Sequence, residues 1–214
     1  ALVDILHRAG LPPGVLNLVM GSGSQVGSVL CSHPGVDAIS FTGSVGTGRR
    51  IAVDCVSGPV MKRMQLEMGG KNPLVVLDDA DLDMAVECAV QGAFFSTGQR
   101  CTASSRFIVT EGIHDRFVRA VIGRLEGLKV GHALDAATHI GPVVDDKQLQ
   151  VDLSYIDIGV QEGARLAWGG KPLSLQTPGF YLQPALFTEV DATMRVAREE
   201  IFGPVATVTR VKDF

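Results

Sequence analysis

Cys101 stands in the stretch Gly98-Gln99-Arg100-Cys101-Thr102, between a helical pattern and an apolar run at 106–110. A glycine-containing loop there can expose a thiol to solvent and to cationic neighbours, and a thiolate is a potent nucleophile. The plainer alternative is a small core residue. Cys31, Cys55 and Cys88 are read in that plainer way, because each lies within an apolar helical pattern. Glu67 lies near the end of a run of alternating character with Met64, Leu66 and Met68, and Met68 alone separates it from Gly69-Gly70. Its carboxylate therefore sits where backbone can approach a ligand, although a single acid at a strand end is more commonly a surface charge. A cysteine nucleophile and a carboxylate base form a workable catalytic pair, and spacing alone does not bring them together.

Gly21, Gly23 and Gly27 make GxGxxxG, one residue longer than the dinucleotide fingerprint. Alone, it reads equally as an ordinary glycine-rich turn between strand and helix. Ser44 is better placed. It follows the strand pattern Ile39-Ser40-Phe41 and opens a helix, where its hydroxyl and free N–H groups can meet a phosphate or simply cap the helix. The four cysteines include no CxxC pair, so neither a zinc site nor a disulfide framework is expected, and the thiols fit a reducing cytoplasm.

These residues need a scaffold, and the chain has the composition for one. Hydrophobic residues make up 46% of 214 and charged residues 20%, which excludes a disordered chain. Nineteen Lys and Arg against 23 Asp and Glu, without a basic block, argue against nucleic acid or an anionic membrane as partner. The uncharged stretch 9–36 holds Pro12, Pro13, Pro34 and several glycines, which would break a membrane-spanning helix. Periodicity predicts a helix over 1–9, a buried strand over 15–20, a short helix through Val26 and Leu30, a strand over 36–41, a helix through Ile51 and Val56, and a strand over 60–68. Beyond Gly69-Gly70 it predicts strand 73–77, helix 82–96, strand 106–110, helix 114–125, helix 145–162 and short strands around 164–168, 180–187 and 205–211. The β/α alternation implies an α/β fold with a parallel sheet. The Gly69-Gly70 pair divides the chain into 1–68 and 69–214. The first residues read as mid-helix and the last follow a strand, so the chain is expected to be an internal piece of a longer protein.

Five segments in order resemble the aldehyde dehydrogenase superfamily: AGLPPGVLN at 9–17, ISFTGS at 39–44, LEMGGK at 66–71, GQRC at 98–101 and EEIFGP at 199–204. The resemblance implies that 1–68 is the C-terminal part of a dinucleotide-binding domain and 69–214 most of a catalytic thiol domain. It makes Cys101 the nucleophile and Glu67 the general base. NAD or NADP would lie by Gly21, Gly23, Phe41, Thr42, Gly43 and Ser44, with Glu200 on the nicotinamide ribose and Phe202 beside the nicotinamide. Met68 replaces the usual Leu, and Val45-Gly46-Thr47 replaces a common Thr-Glu-Val type run. The family's oxyanion-stabilising Asn is expected upstream. The function implied is oxidation of a small aldehyde to an acid through a cysteine thioester, by a homo-oligomer when full length, with the isolated piece inactive. Alternatives are a CoA-acylating semialdehyde dehydrogenase, which the base Glu67 disfavours, and a non-catalytic relative, which would have no need of Cys101 or Glu67. The stretches 98–106 and 110–117 are also similar to the α-ketoglutarate semialdehyde (2,5-dioxovalerate) dehydrogenases of sugar-acid catabolism. A short semialdehyde acid would need a cation, for which Arg100 is one candidate. Otherwise Arg100 faces a neighbouring helix or solvent.

Overall fold

A computed structural model describes residues 1–213, and the chain separates into two compact units, Ala1–Met68 and the part from Gly69 onward. In the first unit, α1 (Leu2–Arg8) leads through the Pro12-Pro13 turn to a π-helical turn at Gly23–Gly27 that runs into α2 (Ser28–Ser32). Then come β1 (Ala38–Gly43), α3 (Val45–Ser57) and β2 (Arg63–Met68). β1 and β2 pair in parallel, from Ala38 opposite Arg63 to Gly43 opposite Met68, with α3 as the crossover between them. Ser44 caps α3, its Oγ accepting from the Thr47 N–H at 3.3 Å, a contact worth roughly 1 kcal/mol. The buried Lys62 ties down the turn before β1, its Nζ donating to the carbonyls of His33 at 2.6 Å and Val36 at 2.7 Å.

The expected strand over 15–20 is absent. Those residues form no ladder with any described strand, and Val15, Leu18, Val19 and Met20 are exposed. An apolar extended run becomes a strand only when a neighbour takes its N–H and C=O groups. β2 likewise starts not at Val60 but at Arg63, where pairing with β1 begins.

The second unit contains β3 (Pro73–Val76), α4 (Leu82–Phe94), a 3₁₀ turn at Phe95–Gly98, β4 (Arg106–Thr110) and α5 (Glu111–Glu126). It continues with α6 (Asp146–Gln161), β5 (Arg165–Trp168), β6 (Pro172–Leu173), β7 (Tyr181–Leu182), β8 (Ala185–Thr188), α7 (Arg195–Arg198) and β9 (Val205–Val211). The sheet order is β3-β4-β9-β8-β5, parallel except for the antiparallel edge strand β5, and the chain is an α/β protein. Its central strands are covered on both faces, which the period of two along each strand makes visible. Leu186, Ala206 and Val208 pack with Val90 and Phe94 of α4 and Phe117 of α5. Ala185, Phe187 and Val205 pack on the other face with Ile156 of α6 and Val196 of α7.

Three local differences have plain causes. The run 180–187 is two strands because Pro184 has no N–H to donate, so β7 pairs with β6 while β8 joins the large sheet. Helix α4 stops at Phe94 because Ser96, Thr97 and Gly98 all take left-handed φ values of 54°, 60° and 66°. Cys88, expected in the core, is exposed. Helix α4 buries Val86, Ala89, Val90 and Ala93, and Cys88 falls on the opposite side with Met84 and Gln91. Among the described residues no helix is long and apolar enough to cross a membrane, and no cluster of His, Cys, Asp and Glu could hold a metal ion.

Candidate active site

In the second unit the Cys101 loop is built by the way α4 ends. Gly98 must be glycine: besides its left-handed φ, a Cβ there would overlap the carbonyl of Gly203. After it, Gln99 Oε1 accepts from the Val144 N–H at 3.1 Å, and Arg100 Nη2 donates to the Gln91 carbonyl at 2.9 Å, on the last turn of α4. Of the two readings of Arg100, these hydrogen bonds support the one in which it faces the neighbouring helix. Cys101 itself is exposed, whereas Cys31 and Cys55 are buried in the first unit. The loop then returns by Ala103 N–H to the Arg100 carbonyl at 3.0 Å and Ser104 N–H to the Gly92 carbonyl at 3.1 Å.

Sequence reasoning passed over Asn72, which follows the motif LEMGGK. Its Nδ2 donates to the Cys101 carbonyl at 2.7 Å and to the Ala103 carbonyl at 3.1 Å. Nothing in its residue type marked it, since an Asn before a strand ordinarily serves a turn.

Glu200 and Phe202 lie on the segment between α7 and β9. The Glu200 carboxylate accepts from the Gly70 N–H, and a Cβ at Gly69 would overlap it, so the Gly69-Gly70 pair is what allows this approach. Burial raises the Glu200 pKa, while the Gly70 N–H and the Lys71 charge oppose the rise. Lys71 is itself perturbed. Its Nζ is buried without a hydrogen-bond partner among the described residues, and burial, reinforced by Arg106, lowers its pKa to about 8. Phe202 is 41% exposed at a φ of 62°, a conformation that bulky residues rarely adopt and that clusters at functional sites. Gly70, Gly98, Arg100, Ala103, Glu200 and Phe202 line one cleft of this unit.

Beneath that segment sits Asp152 of α6, wholly buried and also unforeseen. Gln148 Nε2 donates both to Asp152 Oδ1 at 2.8 Å and to the Ile201 carbonyl at 2.9 Å, and a Cβ at Gly203 would overlap the Asp152 carboxyl. Burial lifts this carboxyl to about 7, against the pull of the Gln148 amide.

In the first unit Phe41, Thr42, Gly43, Ser44 and Glu67 lie at or next to the C-terminal ends of β1 and β2, and Gly21 and Gly23 lie apart from them in sequence, just before and at the start of the π-helical turn. Glu67 pairs with Thr42 across the ladder, so both side chains share one face, and Gln65 Nε2 donates to Glu67 Oε1 at 3.2 Å. Glu67 is exposed. The Phe41 ring lies where a Cβ of Gly43 would be, and Gly48 leaves the same kind of room for Met68. Ligands of α/β sheets bind outside the carboxyl ends of parallel strands, which is where Thr42, Gly43, Ser44 and Glu67 are. Gly21 is needed for the Val26 side chain, while Gly23 has open space around it.

The profile of the Aldehyde dehydrogenase family matches residues 1–214. A betaine aldehyde dehydrogenase of Mesorhizobium japonicum is 47% identical over 212 residues, covering 98% of this chain and 43% of the relative. An alpha-ketoglutaric semialdehyde dehydrogenase of Bacillus subtilis is 46% identical, with coverages of 98% and 43%. Among solved structures, betaine aldehyde dehydrogenase of Staphylococcus aureus in complex with NAD+ superposes with a TM-score of 0.94 at 38% identity, covering 99% of this chain and 42% of that one. The chain thus spans 43% of the length of these two curated relatives. With its whole length matched and its fold shared, the chain belongs to the aldehyde dehydrogenase family.

Proposed function

We propose that this chain carries the nucleophile, the general base and part of the dinucleotide site of an enzyme that oxidises an aldehyde to a carboxylic acid. The observation that carries the reading is Cys101, an exposed thiol at a loop tied to α4 on both sides and bordering the cleft of Glu200 and Phe202. The residues also fit a nicotinamide dinucleotide: a capped helix start at Ser44, open space at Gly23, a carboxylate held at Glu200 and an exposed aromatic at Phe202. When bound, NAD or NADP supplies the hydride acceptor. The Cys101 thiolate attacks the aldehyde carbonyl, and the oxyanion formed takes a hydrogen bond from the Cys101 N–H. Loss of hydride from that adduct leaves a thioester on Cys101. Glu67 takes a proton from water, whose attack on the thioester releases the acid and frees the thiolate. In this reading Ala1–Met68 belongs to the dinucleotide-binding domain and the part from Gly69 onward to the catalytic domain. The full-length enzyme works in the cytoplasm as a homo-oligomer.

In the full-length protein Cys101→Ala abolishes aldehyde oxidation and leaves dinucleotide binding intact, as seen by calorimetric titration. Activity retained in that variant would remove the assignment. For substrate, the reading is a short semialdehyde acid such as 2,5-dioxovalerate, supported by the stretches 98–106 and 110–117 and by the Bacillus subtilis relative. The relative named for betaine aldehyde, a cation, is equally similar, so substrate charge separates the two. The semialdehyde acid should exceed both betaine aldehyde and a neutral aldehyde of equal length in kcat/KM by at least about ten-fold. Equal or reversed preference rejects the acidic substrate.

A further inference from the structure

The four residues Gly69 to Asn72 reach two of the candidate groups at once. The Gly70 N–H holds the Glu200 carboxylate, and two residues later the Asn72 amide holds the carbonyl of Cys101. The segment is itself anchored, because the Arg106 N–H donates to the Asn72 carbonyl where β3 and β4 begin to pair. Asn72 uses both N–H bonds of its amide, one on the peptide after Cys101 and one on the peptide after Ala103. Other ties to the loop run through Gln99, Arg100 and Ser104, on either side of Cys101. Asn72 holds the peptide of the cysteine itself. Fixing that plane limits rotation about the Cys101 Cα–C bond, and with it the direction in which the thiol projects.

We infer that Asn72 is a positioning residue that sets the Cys101 thiol in a fixed place relative to Glu200. The inference rests on the reading of Cys101 as nucleophile. A nucleophile misplaced by about 1 Å loses on the order of a hundred-fold in rate, so a side chain that fixes its peptide has leverage without touching substrate. The amide has no full substitute. Asp has nearly the same shape but no N–H, and would set a carboxylate against two carbonyl oxygens. Ser has one O–H on a shorter arm and can reach one carbonyl at most.

The test uses the full-length protein with Asn72→Asp and Asn72→Ser, labelled with iodoacetamide and read cysteine by cysteine by mass spectrometry. Exposed Cys88 on α4 is the internal reference, and melting temperature reports the fold. In Asn72→Asp, Cys101 labelling relative to Cys88 and kcat should both fall by roughly ten- to a hundred-fold, with the dinucleotide KM within about two-fold. Asn72→Ser should recover part of both losses. Wild-type labelling and kcat in both variants would overturn the inference. So would loss of the cooperative melt in both, or a dinucleotide KM that rises in step with the fall in kcat, because either outcome assigns Asn72 a general structural role. The reading beneath it fails separately: if Cys101→Ala stays active, Cys101 is not the nucleophile, while the labelling still decides whether Asn72 places it.

Discussion

Glu67 is an exposed carboxylate beside Thr42 at the end of a short parallel ladder, lightly held by the Gln65 amide. A base that activates water has to be accessible, and one needed only to hydrolyse a thioester leaves the first half-reaction untouched. Glu67→Gln should therefore lower steady-state turnover by roughly 10²- to 10⁴-fold while a pre-steady-state burst of reduced dinucleotide survives. If the burst fell together with the steady rate, Glu67 would act earlier, on the thiol. Arg100 illustrates the opposite case. Its position beside Cys101 suggested a substrate carboxylate, yet its guanidinium is engaged on the last turn of α4, where a cation also suits the carbonyl end of the helix.

At the scale of elements, the segment between α7 and β9 depends on what lies under it. Gln148 of α6 holds the Ile201 carbonyl and Asp152 together, and Asp152 is buried where Gly203 has no side chain. With its carboxyl raised from 3.8 to about 7, Asp152 keeps its proton in the folded chain over a range where the unfolded chain has lost it. The folded state then binds the extra proton, so this contribution to stability is complete below about pH 4, declines as pH rises toward 7 and is gone above it. Melting temperatures of wild type and Asp152→Asn across pH 4 to 8 check this: the wild type should lose stability relative to the variant as pH rises. A constant difference between the two would show that Asp152 titrates normally.

At the scale of the whole molecule the two units differ in how well they bury themselves. The part from Gly69 onward has two apolar clusters, one on each face of its sheet. In Ala1–Met68, Cys31 and Cys55 are the buried hydrophobic residues, while Leu2, Met20, Val29, Val53 and Met61 are each more than half exposed. Large apolar side chains left exposed in this number are an aggregation liability unless something covers them. Expressed alone, the 214-residue chain should be inactive and associate at micromolar concentration, giving high-mass species in light scattering. A monodisperse monomer, or aldehyde-dependent reduction of dinucleotide by it, would contradict this.

Much of this molecule follows from local sequence. Apolar periodicity and the caps Ser44 and Asp81 place α3 and α4, and the β-rich run Arg106–Thr110 is a strand with those bounds, because such preferences act within a few residues of chain. The motifs around Glu67, Cys101 and Glu200 were legible for the same reason, each being a short string of residue types. Only packing decided the rest. The run 15–20 has strand composition but no strand partner among the described residues, and Cys88 has a helical pattern but the wrong side of α4. Asp152 is an acid whose ionisation is set by what surrounds it, and Asn72 meets Cys101 across 29 residues of chain. Burial and long-range hydrogen bonds depend on which surfaces meet, and that is a property of the folded chain with no counterpart in any window of its sequence.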